Sequence, residues 1–333
     1  MLAEGEPVRR RAFITLVGGA TLGWPLTARA QNAATKVWRV GYLSSYSSQV
    51  VLPDLFDLGK RLEDLGYVDG KNILLITRNA GTEPKAIEDT IGAMLPNVDI
   101  LVVWTTLIAV KARKLTTSVP TVFLSVSTPV EVGLVKSLAH PDGNMTGVTF
   151  EATPETYAKR LQMLREIVPT FKRLAVLGGR SDPNVPVALA SMESATRGIT
   201  STLFEFEADS DLPALFNTMQ TSGADGLIVI ASALTFSNFR SIAELSLAHR
   251  LPGCYPHRES VVAGGLISLG PDLAWITRQG AAYVDKIIRG AKPGDLPVEQ
   301  PTRYQVFVNL KTAKALGLDV PPALLARADE VIE

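Results

Sequence analysis

The chain has 333 residues, 46% of them hydrophobic, enough for a sizeable core and more in keeping with two lobes than with one. Its 33 basic and 33 acidic residues cancel and form no long basic run, which argues against nucleic acid as the main partner. The single cysteine, Cys254, excludes an internal disulfide and a cysteine-based zinc site.

The chain opens on Arg9-Arg10-Arg11 and an apolar run from Ala12 to Trp24, shorter than the about 20 residues of a spanning helix. Ala28-Arg29-Ala30 follows, a small-x-small cleavage pattern before Gln31. Residues 1–30 therefore read as an export signal cleaved after Ala30, with a periplasmic destination. Arg10-Arg11-Ala12-Phe13-Ile14 has the form of a twin-arginine signal, with the general secretory route as the alternative.

Val37–Leu43 is the first predicted strand and ends in Ser44-Ser45. A helix from about Pro53 to Leu65 places Leu55, Leu58, Leu62 and Leu65 on one face, and Gly66 stops it. Ile73–Thr77 is a strand, Glu83–Leu95 a helix, and Asp99–Trp104 a strand apolar enough to be buried on both faces. A helix to Leu115 and a fourth strand, Thr121–Leu124, follow. The chain is expected to cross from one lobe to the other at Gly147–Phe150.

The order then repeats. Thr156–Ile167 is helical, Arg173–Leu177 a strand, Val187–Arg197 a helix, Thr202–Phe206 a strand and Leu212–Thr221 a helix. Ala224–Ile230 is a buried strand, a single helix runs to Ala248, and Pro252–Tyr255 is the next strand. Asn97–Thr106 and Gly223–Ser232 match in pattern, and each leads through a helix to a short strand opened by x-Pro. Two similar α/β lobes with parallel sheets are implied. Gly264–Gly270 is a further strand and a second crossing. Leu273–Arg289 is a long amphipathic helix, Tyr304–Val308 the last strand, Thr312–Leu316 a short helix, and Pro321–Glu333 a tail packed on a lobe surface. The expected lobes are 37–147 with 270–292, and 148–269 with 303–333. Gly147, Val148 and Gly270 form the hinge.

The sequence has no Gly-x-Ser-x-Gly elbow and no phosphate-binding Gly-x-x-x-x-Gly-Lys-Ser/Thr loop. Its three histidines, His140, His249 and His257, have no partner at metal spacing, so no metal and no cofactor are expected. Only His257, just past a strand end, is a candidate to touch a ligand. Polar residues do gather at the C-terminal ends of the predicted strands, where open α/β sheets bind ligands. They are Ser44, Ser45, Thr105, Thr106, Ser125 and Thr128 in the first half, and Arg180, Ser181, Asn184, Ser232, Tyr255 and Arg258 in the second. Trp104 and Tyr255 would supply an aromatic wall, and Arg180 and Arg258 would orient an anionic group. Hydroxyls, amides and guanidinium groups suit gripping a small polar molecule rather than transforming it, so no enzymatic activity is expected.

Over essentially its full length the chain resembles the exported substrate-binding proteins of ABC transporters, in the bacterial family that includes tryptophan- and tyrosine-type binding components. The resemblance is carried by Arg39–Leu43, Leu65-Gly66-Tyr67-Val68-Asp69-Gly70-Lys71-Asn72, Pro129–Val135, Pro141-Asp142-Gly143-Asn144-Met145-Thr146-Gly147-Val148, Ala263–Leu266 and Asn309–Leu318. It implies a type I periplasmic-binding-protein fold: two doubly wound parallel-sheet lobes joined by a multi-strand hinge. It also implies a monomer that presents its ligand to an inner-membrane permease. One departure bears on the ligand. Thr128 stands where that family commonly has Asp before the proline, and Ala231-Ser232-Ala233-Leu234 adds no acid. A ligand ammonium would thus lack a buried carboxylate, which favours a small organic acid or neutral aromatic compound over an amino acid. A ligand-sensing protein feeding a signalling partner and an exported α/β enzyme are the alternatives. The enzyme would need a nucleophile or metal site that the sequence does not display.

Overall fold

The computed structural model describes residues 36–45, 57–151 and 153–333. The expected export signal and the first residues of the helix expected from Pro53 lie outside them. Two parallel-strand sheets organise the described chain, one after the other.

The first sheet holds β1 (Trp38–Ser44), β2 (Ile73–Asn79), β3 (Ile100–Trp104), β4 (Thr121–Ser127) and β5 (Met145–Glu151), in the order β2-β1-β3-β4-β5, every pair parallel. The connecting helices are α1 (Leu58–Asp64), α2 (Pro84–Met94) and α3 (Thr106–Leu115). All five residues of β3 are buried, as expected for a central strand covered on both faces. Ile87, Ile91 and Met94 are the buried residues of α2, spaced by four and three along one face.

The second sheet holds β6 (Arg173–Gly179), β7 (Thr200–Phe206), β8 (Gly226–Val229), β9 (Gly253–Tyr255), β10 (Ile267–Gly270), β11 (Gln305–Asn309) and β12 (Glu330–Ile332). Its order is β12-β11-β10-β9-β8-β6-β7. Read from β7 to β10, it repeats the winding of the first sheet, so the internal match seen in the sequence is a repeat of topology. The β10–β11 pair is antiparallel. The connecting helices are α4 (Glu155–Ile167), α5 (Asn184–Met192), α6 (Leu212–Thr221), α7 (Ala233–Ser237), α8 (Phe239–Ala248) and α9 (Arg258–Val262). The chain ends with α10 (Leu273–Ile288), α11 (Leu310–Leu316) and α12 (Pro322–Leu325).

Several expectations change. The single helix expected to end at Ala248 is two, α7 and α8, meeting at Asn238, whose side chain donates to Leu234 O and closes the first. The tail is not a surface strap: β12 pairs with β11 and forms the sheet edge, so Gln305–Asn309 is not the last strand. Pairing of β5 with β4 continues to Glu151, which moves the first crossing beyond the expected Gly147–Phe150. Val148 is fully buried within that strand and bridges to Glu299.

The chain passes between the two sheets three times: after Glu151, after Gly270 into α10, and again before β11. Leu273, Ile276, Tyr283 and Ile287 of α10 pack with Val40, Leu58, Val102 and Leu124, so the helix belongs to the core of the first lobe. Glycine at the two expected hinge positions answers to close backbone approach. A Cβ on Gly147 would stand 1.9 Å from Phe123 O, and one on Gly270 1.9 Å from Pro256 O. No helix among the described residues is long and apolar enough to cross a membrane.

Candidate binding site

Both sheets reverse their strand order beside their first strand, and the carboxyl ends flanking those reversals face one cavity. From the first lobe come Thr105, Thr106, Ser125, Ser127 and Phe150. From the second come Asn184, Ala231, Ser232 and His257. With the lobes in contact the cavity volume is about 10 Å³, room for about one water, so a larger ligand enters only as the lobes part.

On the first lobe the walls are held in uncommon backbone conformations. Thr105 ends β3 and caps α3 at φ 89°, Ser125 lies at φ 57°, and Thr128 at φ 45°. Three non-glycine residues in the left-handed region, two in the wall and Thr128 just behind it, mark local strain, each costing about 1–3 kcal/mol. At Ser125 the β4–β5 register shifts, a bulge that re-aims the side chains after it. The Thr105 hydroxyl is buried and has no hydrogen-bond partner.

On the second lobe, Ser232 is already engaged. Its Oγ accepts from Thr235 N at 3.0 Å while Thr235 Oγ1 accepts from Ser232 N at 3.0 Å, a reciprocal cap on α7. Asn184 begins α5. Its Nδ2 donates to Thr106 Oγ1 across the cleft at 3.1 Å, and Ser127 N donates to the same oxygen at 3.0 Å. The Asn184 Oδ1 has no partner. The lobes are therefore in direct contact. The start of α3 brings backbone N–H groups and the positive end of a helix dipole to the cavity, whereas at α5 Asn184 N and Val185 N already donate to Asp182 and Pro186 has no N–H.

The deepest wall combines an aromatic pair with an imidazole. The ring of His257 is 4.9 Å from Phe150 and 4.7 Å from Phe236, centroid to centroid. Burial, with a smaller contribution from the Arg160 charge, pushes its pKa down to about 3, so the imidazole is neutral at ordinary pH. Beside it, Glu151 at the end of β5 forms a fully buried ion pair with Arg160 of α4. Arg160 Nε and Nη2 both donate to Leu269 O, at 2.9 and 2.8 Å. Burial works against the guanidinium charge, and the Glu151 carboxylate together with Tyr157 and Cys254 more than offsets it. The pair fastens the first sheet to α4 and β10 across the crossing.

Thr105, Thr106, Ser125, Asn184 and Ser232, expected from their places at strand ends, meet in this cavity. Ser44 and Ser45 close β1 without lining it, and Thr128 is wholly buried behind the wall. Four expected contacts fall elsewhere. Trp104 is the last core residue of β3, fully buried with Tyr42 and Ile276. Tyr255 faces the opposite side of β9, packed with Phe204, Phe216 and Ile242 and against Gly253 and Gly265. Arg258 starts α9 and turns outward to Glu330, 2.9 Å away, over the ring of Phe307. Arg180 pairs with Glu207 at 3.1 Å at the rim of a separate outer pocket, which Ser181 also lines. Neither arginine reaches the inner cavity. Ser127, Phe150 and Ala231 were not expected there. For Phe150 the available signal was its place in a buried run, Val148–Phe150, that ends at the cleft.

A model of the family described as ABC transporter substrate binding protein matches residues 57–332. The chain is similar to a tyrosine-binding protein of Clostridioides difficile (strain R20291), at 25% identity over 78% of this chain and 75% of that one. Among solved structures, one of an ABC domain in complex with L-Trp from Streptococcus pneumonia superposes with TM-score 0.80 at 22% identity, covering 89% of this chain and 100% of that one. A ligand-free, open substrate-binding protein with adhesive properties from Clostridium difficile gives 0.61 at 21%, covering 89% and 99%.

Proposed function

The chain belongs to the ABC transporter substrate-binding protein family, and from that premise we propose that it is the exported, periplasmic receptor of an importer, a monomer that closes on a small organic ligand and offers it to an inner-membrane permease. The family is one of solute-binding proteins rather than enzymes. The observation that carries the reading is the cavity built jointly by the strand ends of both sheets, with contributions from each lobe.

The ligand is a small carboxylic acid with a flat apolar body. The N-terminus of α3 and the Thr105 hydroxyl provide donors for the acid, so no arginine is needed to hold it. Phe150 and His257 provide flat faces. Among the described residues no carboxylate lines the cavity, and the nearby Glu151 is paired with Arg160, which disfavours a ligand ammonium. The tyrosine- and tryptophan-binding relatives support the aromatic body, and the acid-free cavity lining favours an aromatic acid over an amino acid.

A thermal-shift panel of aromatic acids, aliphatic acids and amino acids tests this. A raised melting temperature with aromatic acids is expected, because a ligand that binds only the folded form stabilises it. Small-angle scattering should show a smaller radius of gyration on saturation, and an unchanged radius would count against closure of the lobes on the ligand. No shift with any member of the panel would overturn the reading. Replacing Arg10 and Arg11 by Lys should cause precursor to accumulate inside the cell if export follows the twin-arginine route; unchanged export would leave the general secretory route.

A further inference from the structure

His257 stands apart from the other cavity residues. It is 6% exposed, it lines the cavity, and neither ring nitrogen has a hydrogen-bond partner. Serine and threonine hydroxyls rotate to become donor or acceptor as a ligand requires. A neutral imidazole cannot: one nitrogen is bare and demands a donor, the other carries hydrogen and demands an acceptor. Phe150 on one lobe and Phe236 on the other hold the ring in place, so it has little freedom to search for partners elsewhere. Two unmet polar atoms in a buried, aromatic-walled site are costly unless the bound ligand meets them.

We propose that His257 is the specificity-determining residue of the cleft, and that it selects an aromatic acid bearing a ring hydroxyl over the same acid without one. This rests on the reading of the cavity as the ligand site. The acid lies at the N-terminus of α3 beside Thr105, and the ring lies against Phe150. The hydroxyl donates to the bare nitrogen of His257. A site built to hydrogen-bond a hydroxyl discriminates strongly against an analogue that lacks it, because its own groups then stay buried and unpaired. A neutral imidazole suits the task better than a charged one, since it accepts from a phenol without requiring a phenolate.

Calorimetry on the mature full chain decides it, with benzoate, the three hydroxybenzoate isomers and their methoxybenzoate counterparts as probes. At least one hydroxybenzoate should bind about tenfold or more tightly than benzoate, and its methoxy counterpart, which cannot donate, should lose that gain. His257→Phe should erase the ratio between hydroxybenzoate and benzoate affinities, whatever it does to both, while His257→Gln should keep part of that ratio. A preference that survives His257→Phe, or hydroxy and methoxy probes that bind the wild type equally, overturns the proposal; the second comparison holds even where the Phe variant fails to fold. If other solutes in the thermal-shift panel bind but no hydroxybenzoate does, this inference falls and the receptor reading stands. If nothing in either set binds, both fall.

Discussion

The two lobes share a winding order but use their polar strand ends differently. On the first lobe, Thr105, Ser125 and Thr128 sit in left-handed backbone, and the hydroxyls of Thr105 and Thr128 lack partners. On the second, the hydroxyl of Ser232 is extended, at φ −158°, and is occupied by its own helix cap, and the unmet groups are the Asn184 amide oxygen and the His257 ring nitrogens. Strain and unmet polar groups persist only where the surrounding structure enforces them, and they gather at ligand sites. The two halves of the candidate site thus differ in kind: the first lobe offers strained backbone and hydroxyls, the second an amide and an imidazole.

The largest expected effect concerns the pair that joins the lobes. Glu151→Gln leaves the Arg160 guanidinium buried without its counter-charge and should cost about 3–5 kcal/mol in chemical denaturation. A double variant, Glu151→Gln with Arg160→Met, should recover much of that. A single-variant loss below about 1 kcal/mol would mean that the pair does not fasten the crossing.

A smaller effect comes from the histidine of the second lobe. Its pKa is about 3 in the fold and about 6.5 in the unfolded chain, so between these values the unfolded state binds the extra proton. Stability is fully present above pH 6.5 and is lost as the pH falls toward 3. Between pH 7 and pH 5 the loss should be about 2 kcal/mol, and His257→Phe should flatten that part of the profile. An unchanged slope in the variant would show that His257 is not held neutral.

The contrast between the lobes is sharpest in a pair of single substitutions. Thr105→Gly relieves a positive φ and a buried unpaired hydroxyl, so melting temperature should hold or rise while ligand affinity falls by about 1 kcal/mol. Ser232→Ala should do the reverse, losing about 1 kcal/mol of stability with the cap and leaving affinity in place. Equal behaviour of the two variants would erase the distinction. Least of all should come from Arg258→Ala. Its exposed pair with Glu330 is worth under about 1 kcal/mol and is screened by salt, so stability should barely move and affinity not at all. A tenfold loss of affinity would return Arg258 to the site.

Much of this was legible in the chain itself. Period and turn residues mark the strands, and the rule that ligands lie beyond strand carboxyl ends finds Thr105, Thr106, Ser125, Asn184 and Ser232. The failures have a common cause. Which way a side chain points at a strand end depends on parity, and a bulge or a three-residue strand does not reveal its parity in sequence. The bulge at Ser125 adds Ser127 to the wall, and β9 turns Tyr255 away from it. Arg180 and Arg258 were misplaced because their true partners, Glu207 and Glu330, lie 27 and 72 residues along the chain. The pairing of Glu151 with Arg160 likewise depends on how strand and helix meet across a crossing.

The return of α10 to the first lobe has a consequence for how the protein is made. Its Tyr283 and Ile287 complete a core begun by Val40 and Leu58, and its Asp285 accepts from Tyr67 at 2.7 Å, across 218 residues of sequence. A nascent chain that has finished β5 still shows one apolar face of that sheet to solvent. The face stays uncovered while β6 to β10 are synthesised. Contacts of such separation slow folding and leave a sticky intermediate that aggregation or a chaperone can claim. A fragment cut after Glu151 would inherit the same open face. The two lobes are thus units of architecture but not of synthesis, and neither can be excised as one unbroken stretch of chain.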